Sequence, residues 1–138
     1  MKKLIIILWV ILVLLSNSFA YAMESDYIYH WVAKELNLGI NKYVREPIIM
    51  RLNDEVFNKC FIYKNSGTEE MVASVLGFYD PKNRVIWLRE DSSDCILAHE
   101  YTHFFQHIYF GNLNSGRDYI ERQAEIIEIK FCNKHKED

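Results

Sequence analysis

The segment that most limits what this 138-residue chain can become is His99-Glu100-Tyr101-Thr102-His103. Asp91, Ser92 and Ser93 supply N-cap chemistry before it, and Gly111-Asn112 supplies a stop after it. The sequence therefore predicts one long helix from Asp94 to Phe110. Residues four apart on a helix lie about 40° apart and one turn along. His99 and His103 thus converge from one face, as two ligands of one metal ion must. Glu100, beside the first of them, can reach a water at that ion without displacing it. Ile96, Leu97, Phe104 and Phe105 supply apolar packing around the motif.

A catalytic zinc site takes three protein ligands and leaves one position open. The candidates for the third lie on a last helix, predicted from Gly116 to about Asn133 and opened by Ser115 with Asp118 three residues on. Glu121, Glu125 and Glu128 form an acidic stripe on it, beside an apolar stripe of Ile120, Ala124, Ile127 and Phe131. The short loop Gly111–Ser115 lets this helix fold back on the long one, bringing its start near His103. Glu121 is the expected third ligand and Glu125 the alternative. The remaining carboxylate of this pair is expected to orient a ligand histidine through its free ring N–H. Glu128 is read as part of a solvated face. His107 would lie about 12 Å from His99 along the axis, too far to share one ion, and is read as structural or as a cleft residue. His30 and His135 are read as ordinary surface residues.

Upstream, Ser25 or Asp26 is expected to cap a helix from Tyr27 to about Asn37, with Gly39 as its stop. Ile48 to Leu52 reads as a short strand, and Asn53 as the cap of a helix from Asp54 to about Phe61. Lys64 to Glu69 reads as a polar loop. Val72–Tyr79 and Arg84–Leu88 read as a β-hairpin, turned by Asp80-Pro81-Lys82-Asn83. Helices flanking a few strands make the expected fold class α+β.

Residues 1–22 are a different kind of segment. Lys2 and Lys3 precede an unbroken apolar run, Leu4 to Leu15, and Ala20-Tyr21-Ala22 fits a small-x-small cleavage site. This is the pattern of a secretory signal peptide with cleavage after Ala22, and it implies export to the periplasm or the extracellular medium. A membrane role follows only if the segment is retained. Removing the two lysines takes the formal charge from −3 to −5 on residues 23–138, read as a single domain. A chain with 16 Lys and Arg against 19 Asp and Glu has no surplus of positive charge for a nucleic-acid footprint. An apolar content of 50% excludes intrinsic disorder. Cys60, Cys95 and Cys132 allow one disulfide in an oxidising compartment, with all three pairings open, or three small buried apolar residues.

Ile96–Gln106, ILAHEYTHFFQ, resembles the active-site helix of the zincin metallopeptidases, in particular small bacterial domains of the gluzincin kind. Glu121-Arg122-Gln123-Ala124-Glu125 resembles their E-x-x-A-[D/E] glutamate helix. The resemblance implies a minimal zincin-like domain, a small sheet with a hairpin packed on the active-site helix. It also implies one catalytic Zn²⁺ on His99, His103 and Glu121, with Glu100 as general base and Glu125 as the acid behind a ligand. The implied activity is hydrolysis of a peptide or protein substrate that pairs with the edge strand, for which Val85–Leu88 is the candidate. Arg117 and Tyr119 are candidates for stabilising the oxyanion. The alternatives are a zincin-like binding module without turnover and a membrane-tethered adaptor.

Overall fold

The computed structural model describes residues 24–111 and 116–135. The proposed signal peptide and the predicted cap Ser115 lie outside these. Among the described residues the fold is α+β, with five helices and one three-stranded sheet.

The first helix, α1, covers residues 24–35 of the described chain. Ser25 and Asp26, expected as caps, lie inside it. Ser25 Oγ instead sits 2.7 Å from the Tyr101 hydroxyl. The stop is Asn37 rather than Gly39. Asn37 takes the left-handed conformation (φ 54°), and Leu38 N–H returns to the Ala33 carbonyl, the usual way a helix ends on a residue that tolerates positive φ.

Strand β1 (Ile48–Leu52) leads into α2 (Asp54–Asn65), whose first turn is capped by Asn53 accepting from Val56 N–H at 3.0 Å. Helix α2 runs one turn beyond the expected Phe61 and ends on Ser66 in the left-handed region. A short helix α3 (Glu69–Val72), capped by Thr68, then follows, running from the end of the predicted polar loop to the first residue of the predicted strand. The strand itself, β2, begins only at Gly77 and ends at Asp80. Arg89 is the physical reason. Its guanidinium donates to the carbonyls of Val72 and Val75 at 2.9 and 2.8 Å, so the chain before Gly77 is held by a side chain instead of a ladder.

Strand β3 (Val85–Arg89) pairs antiparallel with β2 and parallel with β1, giving the order β1-β3-β2. The hairpin turn is the predicted one, with Asp80 Oδ1 accepting from the N–H groups of Lys82 and Asn83. Val85–Leu88 is therefore not an edge. Ile86 and Leu88 face one core and Trp87 the other, and a strand apolar on both faces belongs in the middle of a sheet. The open edge beside the candidate site is β2.

Helix α4 (Asp94–Phe110) has the predicted bounds. It lies against one face of the sheet with α1, and Leu97, Ala98, Tyr101, Phe104 and Phe105 are almost wholly buried there. Helix α2 covers the opposite face through Phe57 and Phe61. The last helix, α5 (Arg117–His135), packs antiparallel to α4. Cys95 at the start of α4 forms a disulfide with Cys132 near the end of α5, and Cys60 is free. No helix among the described residues is long and apolar enough to cross a membrane.

Candidate metal centre

The outer side of α4 carries the two histidines toward α5, while its inner side is fixed in the core. The three expected ligand atoms come together. His99 Nε2 and His103 Nε2 are 3.0 Å apart, and Glu121 Oε2 lies 3.6 Å from each. Three nitrogen and oxygen ligands at zinc's usual 2.0–2.1 Å, at tetrahedral angles, are separated by about 3.3 Å. Each side of the triangle lies within about 0.3 Å of that spacing.

The surrounding hydrogen bonds decide which atoms face the centre. His99 Nδ1 is 2.9 Å from Glu128 Oε2. A carboxylate only accepts, so His99 Nδ1 carries the proton. His103 Nδ1 is 2.9 Å from Gln106 Oε1. Gln106 Nε2 donates to the backbone carbonyl of Ile120 at 3.0 Å and to Gln123 Oε1 at 2.9 Å. A backbone carbonyl cannot donate, so the amide orientation is fixed and His103 Nδ1 is also the protonated nitrogen. Both Nε2 lone pairs then point at each other and at a carboxylate. Three electron-pair donors converging without a donor hydrogen of their own is an arrangement that asks for a cation.

Expected roles shift at one place. Glu125 is exposed, and the acid behind His99 is Glu128, which is half-buried instead of belonging to a solvated face. Glu128 follows Glu121 by seven residues, two turns along the same face, and antiparallel packing sets it opposite His99. Gln106, one turn beyond His103, was not picked out by sequence reasoning. Its signal was an amide on the α5-facing side of a helix otherwise filled with aromatics. His107 lies apart from the centre, 2.9 Å from the Tyr79 hydroxyl. His30 is exposed as expected, whereas His135 stacks on Phe131 with ring centroids 4.1 Å apart.

Electrostatics follow from this crowding. Burial, with His103 close by, holds the His99 imidazole below its ordinary pKa. Burial pulls His103 down too, but the Glu121 carboxylate, which would pair with the protonated ring, and the charge of Glu100 outweigh that and raise it while the centre holds no cation. Glu121 is held low by His103. Glu100 is 4% exposed, and burial pushes its carboxyl up to about 7. A backbone hydrogen bond at Tyr79 opposes that rise, while Glu100 Oε2 has no hydrogen-bond partner among the described residues. A buried carboxyl with one idle oxygen and a neutral-range pKa is equipped to take and return a proton.

These groups open on a cleft of about 690 Å³ bounded by β2, α4 and the first turn of α5. Arg117 lines it. Tyr119 does not, being 69% exposed on another side of α5. No family model, curated protein or solved structure matches this chain.

Proposed function

We propose that the chain is an exported, zinc-dependent metallopeptidase. The observation that carries this reading is the convergence of His99 Nε2, His103 Nε2 and Glu121 Oε2, with both Nδ1 protons pinned outward by Glu128 and Gln106. These three residues would hold the zinc. Bound there, zinc supplies Lewis acidity, which acidifies water and polarises a carbonyl.

The chain's own groups do the rest. Glu100 Oε2 accepts a proton from water at the cleft floor and later returns it to the leaving amine. Its burial favours this role, because desolvation raises the proton affinity of the carboxylate that must take up the proton. Arg117 is the cationic side chain in position to meet negative charge developing on a substrate. The disulfide supports the exported location, since such bonds persist in oxidising compartments.

Elemental analysis of the purified chain is expected to return one zinc per molecule, lost in His103→Ala. Glu100→Gln is expected to keep zinc and fold while peptide hydrolysis falls by about 100-fold or more. Chelator-sensitive hydrolysis that survives unchanged in Glu100→Gln would remove Glu100 from the chemistry. A chain that binds no zinc at micromolar concentrations would end the proposal.

A further inference from the structure

The cleft is not confined to the metal centre. It continues past the outer side of β2 to an apolar wall formed by Phe61, Met71, Val75 and Phe78. None of these belongs to the metal centre or touches its ligands through a hydrogen bond. They come from α2, α3, the connecting segment and β2, on the sheet face opposite α4.

Among the described residues, the strand between the two regions has free backbone groups. Arg89 N–H donates to the Leu76 carbonyl. Alternation along an antiparallel pair then directs the N–H and C=O of Phe78 at β3, and those of Gly77 and Tyr79 outward. The Tyr79 N–H is already engaged by Glu100. The Gly77 N–H and C=O and the Tyr79 C=O remain on the open edge, one residue from the proton-carrying carboxyl.

An extended peptide added to this edge has its side chains sorted by the pleat. The residue opposite Gly77 turns toward α4. Its neighbours, opposite Leu76 and Phe78, turn to the other face and land on Phe61, Met71, Val75 and Phe78. Phe61 and Phe78 are already locked edge to face, with ring centroids 5.3 Å apart, so the wall is rigid. Met71 is 57% exposed and forms its adaptable rim.

We infer that the Phe61–Met71–Val75–Phe78 wall is a specificity subsite, which selects extended peptides with a bulky apolar or aromatic side chain one residue from the Gly77 pairing position. The inference rests on the metallopeptidase reading for its chemistry, but its geometry is that of the β2 edge alone.

The test uses the zinc-loaded full chain and a peptide set varied at single positions among Phe, Leu, Ala, Asp and Lys. Hydrolysis is scored by kcat/KM. Binding of the same peptides is scored by fluorescence anisotropy on Glu100→Gln. One position is expected to favour Phe or Leu over Asp by about 10- to 100-fold. Met71→Glu is expected to erase that ratio, and Met71→Leu to keep it. Because Met71 lies on the surface, neither variant threatens the fold. Hydrolysis without an apolar preference, or with one that Met71→Glu leaves intact, overturns the subsite and leaves the metallopeptidase reading standing. Selective binding without hydrolysis of any peptide retires the metallopeptidase reading and keeps the subsite. Neither hydrolysis nor binding overturns both.

Discussion

Replacing Glu128 by alanine removes the one carboxylate that holds His99 by its Nδ1 proton. The bond spans 2.9 Å, with side-chain exposures of 16% for His99 and 29% for Glu128. A charge-assisted hydrogen bond in such a partly buried place contributes about 1.5–3 kcal/mol. A tenfold change in affinity corresponds to about 1.4 kcal/mol, so zinc should bind Glu128→Ala roughly 10- to 100-fold more weakly. Glu128→Gln keeps an acceptor oxygen but not the charge, and should lose less than Glu128→Ala. Glu125→Ala is the internal control. It removes an exposed acid three residues away and should leave affinity unchanged. Competition against a chromophoric zinc chelator at fixed pH reads all three, with circular dichroism confirming equal helix content. A Glu128→Ala chain that binds as tightly as the wild type refutes the reasoning, as does a larger loss in Glu125→Ala.

Other outcomes follow from the packing. At Gly77 an added Cβ would lie 2.7 Å from Leu88 Cδ2 and 3.0 Å from Ile96 Cγ2. Gly77→Ala should therefore destabilise by about 1–3 kcal/mol in urea titration, and an unshifted midpoint would show that β2 has room to move. Reducing the Cys95–Cys132 bond, which closes a loop with a sequence separation of 37, should lower stability by about 3–4 kcal/mol by the chain-entropy relation. A melting temperature unaffected by reductant contradicts this. Asp80 offers a pH test. Burial pushes its carboxyl up, but hydrogen bonds from Lys64 and Asn83 prevail and hold it below its ordinary value. Its stabilisation is then complete above the unfolded pKa of about 3.9 and lost as pH falls through the lower folded value. Asp80→Asn should flatten stability against pH in that acid window, and a wild-type slope in the variant would exclude Asp80 as its source.

What could be read before folding was whatever depends on local chemistry. Helix α4 keeps its predicted limits because Ser93 and Gly111 bracket an uninterrupted helical run. Asn53 caps α2 for the reason its type suggests. The convergence of His99, His103 and Glu121 was legible because i, i+4 spacing on a helix is rigid and the short loop lets α5 fold back. What escaped depended on pairing between distant elements. The choice between Glu125 and Glu128 turns on the antiparallel register of α5 against α4, which no spacing within α5 reveals. The disulfide follows from that same register, since Cys95 precedes His99 by one turn and Cys132 follows Glu128 by one turn. The centre position of β3 depends on a parallel crossover from β1, visible in retrospect as apolar residues on both of its faces. The late start of β2 depends on Arg89, a side chain acting from beyond the hairpin.

The bond between Cys95 and Cys132 also turns α5 into a lever arm. Its fulcrum is covalent and sits at the far end, while Glu121 rides eleven residues away, about 16 Å along the axis. A tilt of roughly 5° about that fulcrum would carry the Glu121 carboxylate by about 1.4 Å, most of a coordination radius. Among the described residues, the Gln106 amide latches the near end to Ile120 and Gln123, and the His99–Glu128 bond and the buried Ala124 and Ile127 restrain the helix further along. The covalent tie is thus farthest from Glu121, and the placement of that carboxylate rests on non-covalent contacts alone.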